Sequence, residues 1–561
     1  MAQPAGRAKS LRQHLPVLGL LVAALVLRLW GIGWGLPDQN RLFSYHPDEG
    51  VNLVNAVLED GRRARPHLDI GFYNYGSFYF YLWQAGLAVN QTYGLIRLPD
   101  GGAPSPSAES VAAMLLVGRL IAALLGALTV VPVFFLGERL FGRKTGLMAA
   151  GAYAVMPAAV IHAHFATVDA PATFLVAVAL ACGARLLERQ DSRTIVCAGL
   201  LSGLAAATRY NAGLVLLAPA AALLLGSKRA EQRARWAPGL LAVSAAVGFL
   251  LGCPGVLLAW PKFWADFTFE LQKSRVGMGL LFAETGPGWL YHLRLSLGYG
   301  LGAPLQVLVL AAVVFAMVRH TRQDLYLLAF AVPFFVVLSL AQVRFLRYTL
   351  PMLPVLAVMA GRLLAEPWPR WPSVGRALAG AGGFVALAVL LYCVSLVRVM
   401  TAEDARDRAA AYLRGQARPG SRIAFATTPW FYSPPLAPEF TLPVAGVRRW
   451  DAIQALRLPW ELRLPARGEE WDMRVLSPAP DFVVISASES YHAERLRLPG
   501  ALAFLASLRE GYERLVFENR QSIFGVEVDR PERAPEDWLY IFPRVVIYRN
   551  TADAGTHGDR M

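Results

Sequence analysis

Apolar residues fill this chain in long unbroken runs, separated by short charged clusters. Such runs fall near 15–36, 111–136, 147–166, 170–188, 194–208, 211–226, 236–258, 289–318, 325–342, 346–364 and 377–400. About twenty consecutive apolar residues span a bilayer as a helix, so the pattern predicts about eleven transmembrane helices. The first run follows a basic start, Arg7 to Arg12, as a signal peptide would, but it is of spanning length and no clear small-residue cleavage site follows. It therefore reads as a first span. The run 72–95 is apolar too, but rich in Tyr73, Tyr75, Tyr79, Tyr81 and Trp83. Aromatic residues of this kind favour the membrane interface, and a further span here would invert the charge pattern. An interfacial or re-entrant element is expected.

Basic clusters set the orientation. Arg139, Arg143 and Lys144 follow the second run, and Arg185, Arg189 and Arg193 the fourth. Lys228, Arg229, Arg233 and Arg235 follow the sixth, Arg319 and Arg322 the eighth, and Arg362, Arg370 and Arg376 the tenth. All fall on one side, which the positive-inside rule makes cytoplasmic. Arg62, Arg63 and Arg65 sit in the first outer loop, where a long loop obeys the rule weakly. Residues 1–14 are then a cytoplasmic start, 15–400 a membrane domain with a long first outer loop at 37–110, and 401–561 an outer domain. Within that outer segment an amphipathic helix is expected over 401–417, with β-type runs at 422–427, 481–487, 513–517 and 545–549. The expected fold is an α-helical polytopic membrane protein with a small C-terminal extracytoplasmic α/β domain.

Composition agrees. Of 561 residues 55% are hydrophobic, mean hydropathy is +0.40, and 17% are charged, against about 25% in ordinary soluble chains. The net charge of +14 lies in loop clusters, without a basic stripe interleaved with stacking aromatics, so nucleic-acid binding is not expected. The four cysteines, Cys182, Cys197, Cys253 and Cys393, lie inside apolar runs and read as small buried hydrophobes.

Four clusters carry candidate chemistry, and the topology puts them on one membrane face. The first is Tyr45-His46-Pro47-Asp48-Glu49-Gly50. Adjacent carboxylates point in different directions, so Asp48 and Glu49 suit two jobs, one toward an acceptor or metal and one toward a positioning partner. A carboxylate near lipid suits a general base; capping the helix that begins there is an equal alternative. The second cluster is His162-Ala-His164 with Asp169 and Pro171, where His162 and His164 lack a complete zinc-site spacing. Asp169 is either functional or the cap of the fourth span. The third holds Arg209 between two short spans, suited to a phosphate or to snorkelling toward headgroups. The fourth is Arg344-Phe-Leu-Arg347-Tyr348, two arginines three apart and so on one helical face, suited to phosphate or to anchoring. Carboxylates and arginines together suit a lipid-linked phosphate donor, the arginines holding the leaving group.

On these stretches the chain resembles the membrane-embedded, C-type-fold glycosyltransferases that use dolichyl- or undecaprenyl-phosphate sugars, which include protein O-mannosyltransferases and the lipid A aminoarabinose transferase. HPDEG at 46–50 is similar to the acidic motif of that superfamily's first outer loop, and the resemblance implies Asp48 as base with Glu49 beside it. The runs at 117–146 and 162–174 resemble its second span and second acidic site, implicating Asp169. Those at 206–219 and 344–361 resemble segments near the donor phosphate, implicating Arg209, Arg347 and Tyr348. His46, His162, His164 and Arg344 are further candidates. The aminoarabinose transferase's Lys-Pro-Pro is replaced by Tyr73-Asn-Tyr-Gly-Ser77, and the oligosaccharyltransferase Trp-Trp-Asp is absent.

The expected function is transfer of a sugar from a polyprenyl-phosphate donor to a protein, lipid or glycan acceptor at the outer face of a bacterial plasma membrane. The cofactor is open, a divalent metal being compatible with the family. Two other classes are a flippase for lipid-linked sugars, which calls for inverted repeats not visible here, and a non-catalytic assembly protein, which would not need the Asp48–Glu49 pair.

Overall fold

The computed structural model describes residues 5–59, 63–64, 67–94, 107–226, 235–528 and 534–551. The loop positions Arg62, Arg65, Lys228, Arg229 and Arg233 lie outside the described residues.

Helices occupy each of the expected apolar runs. Among the described residues five are long and apolar enough to cross a membrane: Ala108–Phe141, Asp169–Leu187, Arg322–Leu340, Leu346–Ala365 and Pro372–Val399. A sixth is a broken pair, Arg143–Val155 and Pro157–His164, bent by 61°. Five shorter apolar helices, His14–Leu29, Ser192–Ala206, Tyr210–Leu225, Ala237–Gly252 and Ala303–Arg319, fill the remaining runs. Leu353–Ala365 is buried on nearly every side, whereas Pro372–Val399 exposes Phe384 and Leu387, an apolar face of the kind lipid covers.

The bend has a local cause. Proline disfavours helical backbone in the residue before it, and Met156 ahead of Pro157 takes the extended conformation (φ −60°, ψ 118°). The chain therefore turns between the two helices of this pair, and the segment from His162 to Val168 leads into the helix that opens on Asp169. Close packing brings the next pair together. A Cβ at Gly203 would lie 2.0 Å from the Ala245 carbonyl oxygen, and one at Gly248 2.2 Å from that of Leu200. Small residues let helices in a membrane approach this closely.

Several elements differ from expectation. The run 289–318 is not one helix: it breaks at Gly302 (φ +75°), where Gly288–Tyr291, a π turn and Leu297–Leu301 give way to Ala303–Arg319. A helix at Trp260–Val276 follows the seventh run. The aromatic run 72–95 forms the helix Phe78–Tyr93, packed on Ala108–Leu128 with Tyr79 and Trp83 fully buried. The Tyr79 hydroxyl donates to the Gly118 carbonyl (2.9 Å) and the Trp83 indole to that of Met114 (2.9 Å). These aromatics are core residues rather than interfacial anchors. Cys197 is exposed, while Cys253 and Cys393 are buried.

The C-terminal segment forms a five-stranded sheet in the order Glu461–Arg463, Arg422–Phe425, Phe482–Ser486, Arg544–Asn550, Tyr512–Glu518, the first three parallel and the last two antiparallel to their neighbours. Alternate residues of a strand face opposite sides. Phe482 and Val484 pack with Ala409 and Leu413 of the helix Ala405–Gln416, while Val483 and Ile485 pack with Ala493 and Phe504 on the other side. Both faces are covered, so all five residues of the central strand are buried.

This domain is docked on the membrane part. The Arg41 guanidinium donates to Asp407 (2.8 Å), the Phe43 amide to the Thr441 hydroxyl (3.0 Å), and the Gln521 amide to the Ser395 hydroxyl (2.7 Å). Two of the expected basic loops carry ion pairs, Arg139–Glu188 (2.9 Å) and Arg319–Glu366 (3.0 Å).

Candidate active site

A cavity of about 380 Å³ lies where the two parts meet, lined by Asp48, Tyr75, Lys273, Arg347 and Tyr348 from one side and by Trp430, Glu489, His492, Glu536 and Tyr540 from the other. Asp48 sits in the first turn of the helix Pro47–Asn52, whose cap position is His46 and makes no side-chain cap bond. The capping alternative for Asp48 therefore does not hold. Its carboxylate Oδ2 accepts from Arg347 Nη2 at 2.8 Å.

The adjacent carboxylates do diverge. Glu49 turns away from the cavity and is fully buried. It accepts from Arg119 Nε (2.8 Å) and Nη2 (2.7 Å), from the Ala166 amide (2.7 Å) and from the Ser44 hydroxyl (2.6 Å). Arg119 completes its set on the Ile32 and Trp34 carbonyls, both at 2.7 Å. Burial is the largest influence on the Glu49 carboxyl and pushes it up, but Arg119 and the Ala166 amide outweigh it and hold it below its ordinary value. Every acceptor position is filled, so Glu49 fixes the backbone that presents Asp48 and has no free lone pair for substrate. Arg119 lies inside the helix Ala108–Leu128, and this partner makes it structural.

Asp169 is the first residue of its helix and not its cap, which is Val168. Its carboxylate pairs with the Arg209 guanidinium and lies 3.9 Å from Arg347 Nε. Arg209 stacks on the Tyr348 ring (4.2 Å to the centroid), and Arg347 on that of Phe345 (3.9 Å). Asp48, Asp169, Arg209, Arg347 and Tyr348 thus converge, though they come from four separate stretches of sequence.

Arg344 does not join them. The chain at residues 341–345 is not helical, so Arg344 and Arg347 share no face. Arg344 donates to the Thr285 hydroxyl (2.8 Å) and the Gly286 carbonyl (2.5 Å), bracing a loop. The ring nitrogens of His164 lie 2.9 Å from the Val160 carbonyl and 3.0 Å from that of Trp30, so the ring N–H is held against backbone and not presented to the cavity. His46 is buried between the rings of Phe165 (4.4 Å) and Tyr540 (5.1 Å); burial pushes it well below the ordinary imidazole range, so it is neutral. His162 is also buried, its Nε2 3.8 Å from Asp537. Among the described residues no group of three or more His, Cys, Asp or Glu side chains is placed to hold a metal.

Sequence reasoning missed the wall supplied by the C-terminal domain. Tyr540, Glu489 and Trp430 of that wall, and Asp537, buried against Arg347, lie in a segment without motifs. Lys273 is brought to the cavity by the helix Trp260–Val276. That helix had a signal: Trp260, Phe263, Trp264 and Phe267 recur at helical spacing.

Residues 112–255 match the family model described as dolichyl-phosphate-mannose-protein mannosyltransferase, well under half of the chain. No curated protein sequence matches. The archaeal oligosaccharyltransferase AglB from Archaeoglobus fulgidus, solved with an inhibitory peptide and a dolichol-phosphate, superposes with a TM-score of 0.51 at 12% identity, covering 94% of this chain and 75% of AglB. ArnT from Cupriavidus metallidurans bound to undecaprenyl phosphate superposes with a TM-score of 0.47 at 16% identity, covering 95% of this chain and 97% of ArnT. The AglB superposition shows that this chain shares the fold of that protein. The expected α-helical membrane architecture with a small C-terminal β-containing domain is the one observed.

Proposed function

We propose that the chain is a glycosyltransferase that moves a sugar from a polyprenyl monophosphate donor to an acceptor. The observation that carries this reading is the Asp48 carboxylate and the Arg347 guanidinium, held together at the wall of one cavity with Arg209 and Asp169 behind them. An acceptor hydroxyl attacks the anomeric carbon of the sugar. A new C–O bond forms, the C–O bond to phosphate breaks with its electron pair, and the hydroxyl proton passes to Asp48. Arg347 and Arg209 stabilise the charge that grows on the departing phosphate. Attack opposite the leaving group inverts the anomeric centre.

The sugar class is a hexose, mannose-like, a reading supported by the family match over 112–255. The acceptor is a protein, lipid or glycan, and the C-terminal domain's side of the cavity receives it. The basic ends joined by Arg139–Glu188 and Arg319–Glu366 lie away from the cavity and face the cytoplasm. The site and the C-terminal domain then face outward from a bacterial plasma membrane.

Proteoliposomes loaded with radiolabelled undecaprenyl-phosphate hexoses and envelope extract test this reading. Label should pass from lipid to an acceptor with the wild-type protein and not with Arg347→Ala. Label that crosses the bilayer still attached to its lipid would contradict transfer and point to transport.

A further inference from the structure

The short helix Leu346–Met352 carries Arg347 and Tyr348 into the site, and it begins without a side-chain cap of its own, since Phe345 stands at its cap position. The first N–H groups of a helix have no partner inside it. Here they are met from the C-terminal domain. Asp537 Oδ1 accepts from the Leu346 amide and Oδ2 from the Arg347 amide, both at 2.9 Å. The same Oδ2 lies 3.5 Å from Arg347 Nη1 and 3.8 Å from His162 Nε2. Asp537 is 1% exposed, so its charge sits away from water beside that of Arg347.

A contact that merely docked the domain would not need a carboxylate at this spot. The polar docking contacts of Gln521 with Ser395 and of Phe43 with Thr441 involve no residue of the cavity wall. Asp537, in contrast, holds both backbone and guanidinium of one arginine. That arginine has to exchange partners during the reaction, from Asp48 to phosphate. A backbone fixed by two hydrogen bonds keeps the side chain in reach of both partners while it does so.

We propose that Asp537 is a positioning residue of the donor site, acting through Arg347, and that the C-terminal domain is thereby a working part of that site. The inference rests on the reading of Arg347 as a ligand of the donor phosphate.

A double-mutant cycle on full-length protein in detergent tests it, with undecaprenyl phosphate as the probe. Asp537→Asn should weaken lipid affinity by about tenfold, the scale of one charge-assisted interaction. In the Arg347→Ala background the same substitution should change affinity by less than about twofold, because the residue it acts through is gone. Gln521→Ala, which loosens docking elsewhere, should leave affinity at the wild-type value. Affinities are compared at a temperature where each variant is folded, and the dependence on Arg347 decides. An equal loss in both backgrounds would overturn the inference, as would no loss at all from Asp537→Asn. Wild-type protein that fails to bind the lipid would overturn the donor-site reading itself.

Discussion

Asp48 and Arg347 are joined by a hydrogen bond of 2.8 Å from Nη2 to Oδ2. While it persists, the base is occupied and the cation is neutralised. A phosphate entering the cavity competes for the same guanidinium, and its arrival frees the carboxylate to take a proton. Under the proposed function, donor binding prepares the site for the acceptor. Asp48→Asn should bind undecaprenyl phosphate at least as tightly as wild type, by up to about tenfold, because Arg347 loses its competing carboxylate. Arg347→Ala should bind it about 10- to 100-fold more weakly. Calorimetric titration with the lipid in detergent measures both.

The neighbouring carboxylate has a different task. Glu49 and Arg119 form a fully buried pair in which all four acceptor positions of the carboxylate are filled and the guanidinium makes four hydrogen bonds. Removing one partner strands the other charge, at a cost of about 3–5 kcal/mol. Arg119→Met is expected to lower the thermal unfolding midpoint steeply, and Glu49→Gln/Arg119→Met to recover part of the loss. Asp48→Asn, one residue away but at the cavity, should leave the midpoint close to wild type.

Much of this was legible because membrane helices announce themselves. Helices fill each apolar run, though 147–166 and 289–318 are broken, and two of the expected basic clusters carry ion pairs, Arg139 with Glu188 and Arg319 with Glu366. HPDEG stood out because two adjacent acids beside an apolar run need a reason. The failures are equally physical. Arg344 and Arg347 were given one face on the assumption of a helix, but non-helical backbone before Leu346 sends them apart. Asp537 was invisible: its sequence neighbours are ordinary, and its role exists only once the C-terminal domain docks.

Arg209 lies flat on Tyr348 at 4.2 Å while pairing with Asp169. That geometry needs a planar, delocalised cation, which lysine lacks. Arg209→Lys should therefore raise the donor KM by about tenfold despite keeping the charge. Tyr348→Phe, which keeps the ring face, should change it little. Steady-state kinetics with a labelled undecaprenyl-phosphate hexose distinguishes the two.

A pH effect is expected from the C-terminal domain. Burial pushes the Glu489 carboxyl up to about 8. Between its ordinary value near 4.5 and about 8 the folded protein holds a proton that the unfolded chain has released. Stability from this group is therefore present at low pH and lost as pH rises through that window. Glu489→Gln removes the penalty, so its unfolding midpoint should exceed that of wild type by a margin that grows from pH 5 to pH 8. A margin that stays constant or shrinks would contradict this.

The most direct measurement is turnover by wild type and Asp48→Asn on labelled undecaprenyl-phosphate sugars with an acceptor present. Wild type should release undecaprenyl phosphate and label the acceptor. Asp48→Asn should bind the donor yet turn over about 10²- to 10⁴-fold more slowly, the contribution of a general base. Equal turnover by the two proteins, or binding by both with transfer by neither, would contradict Asp48 as the base.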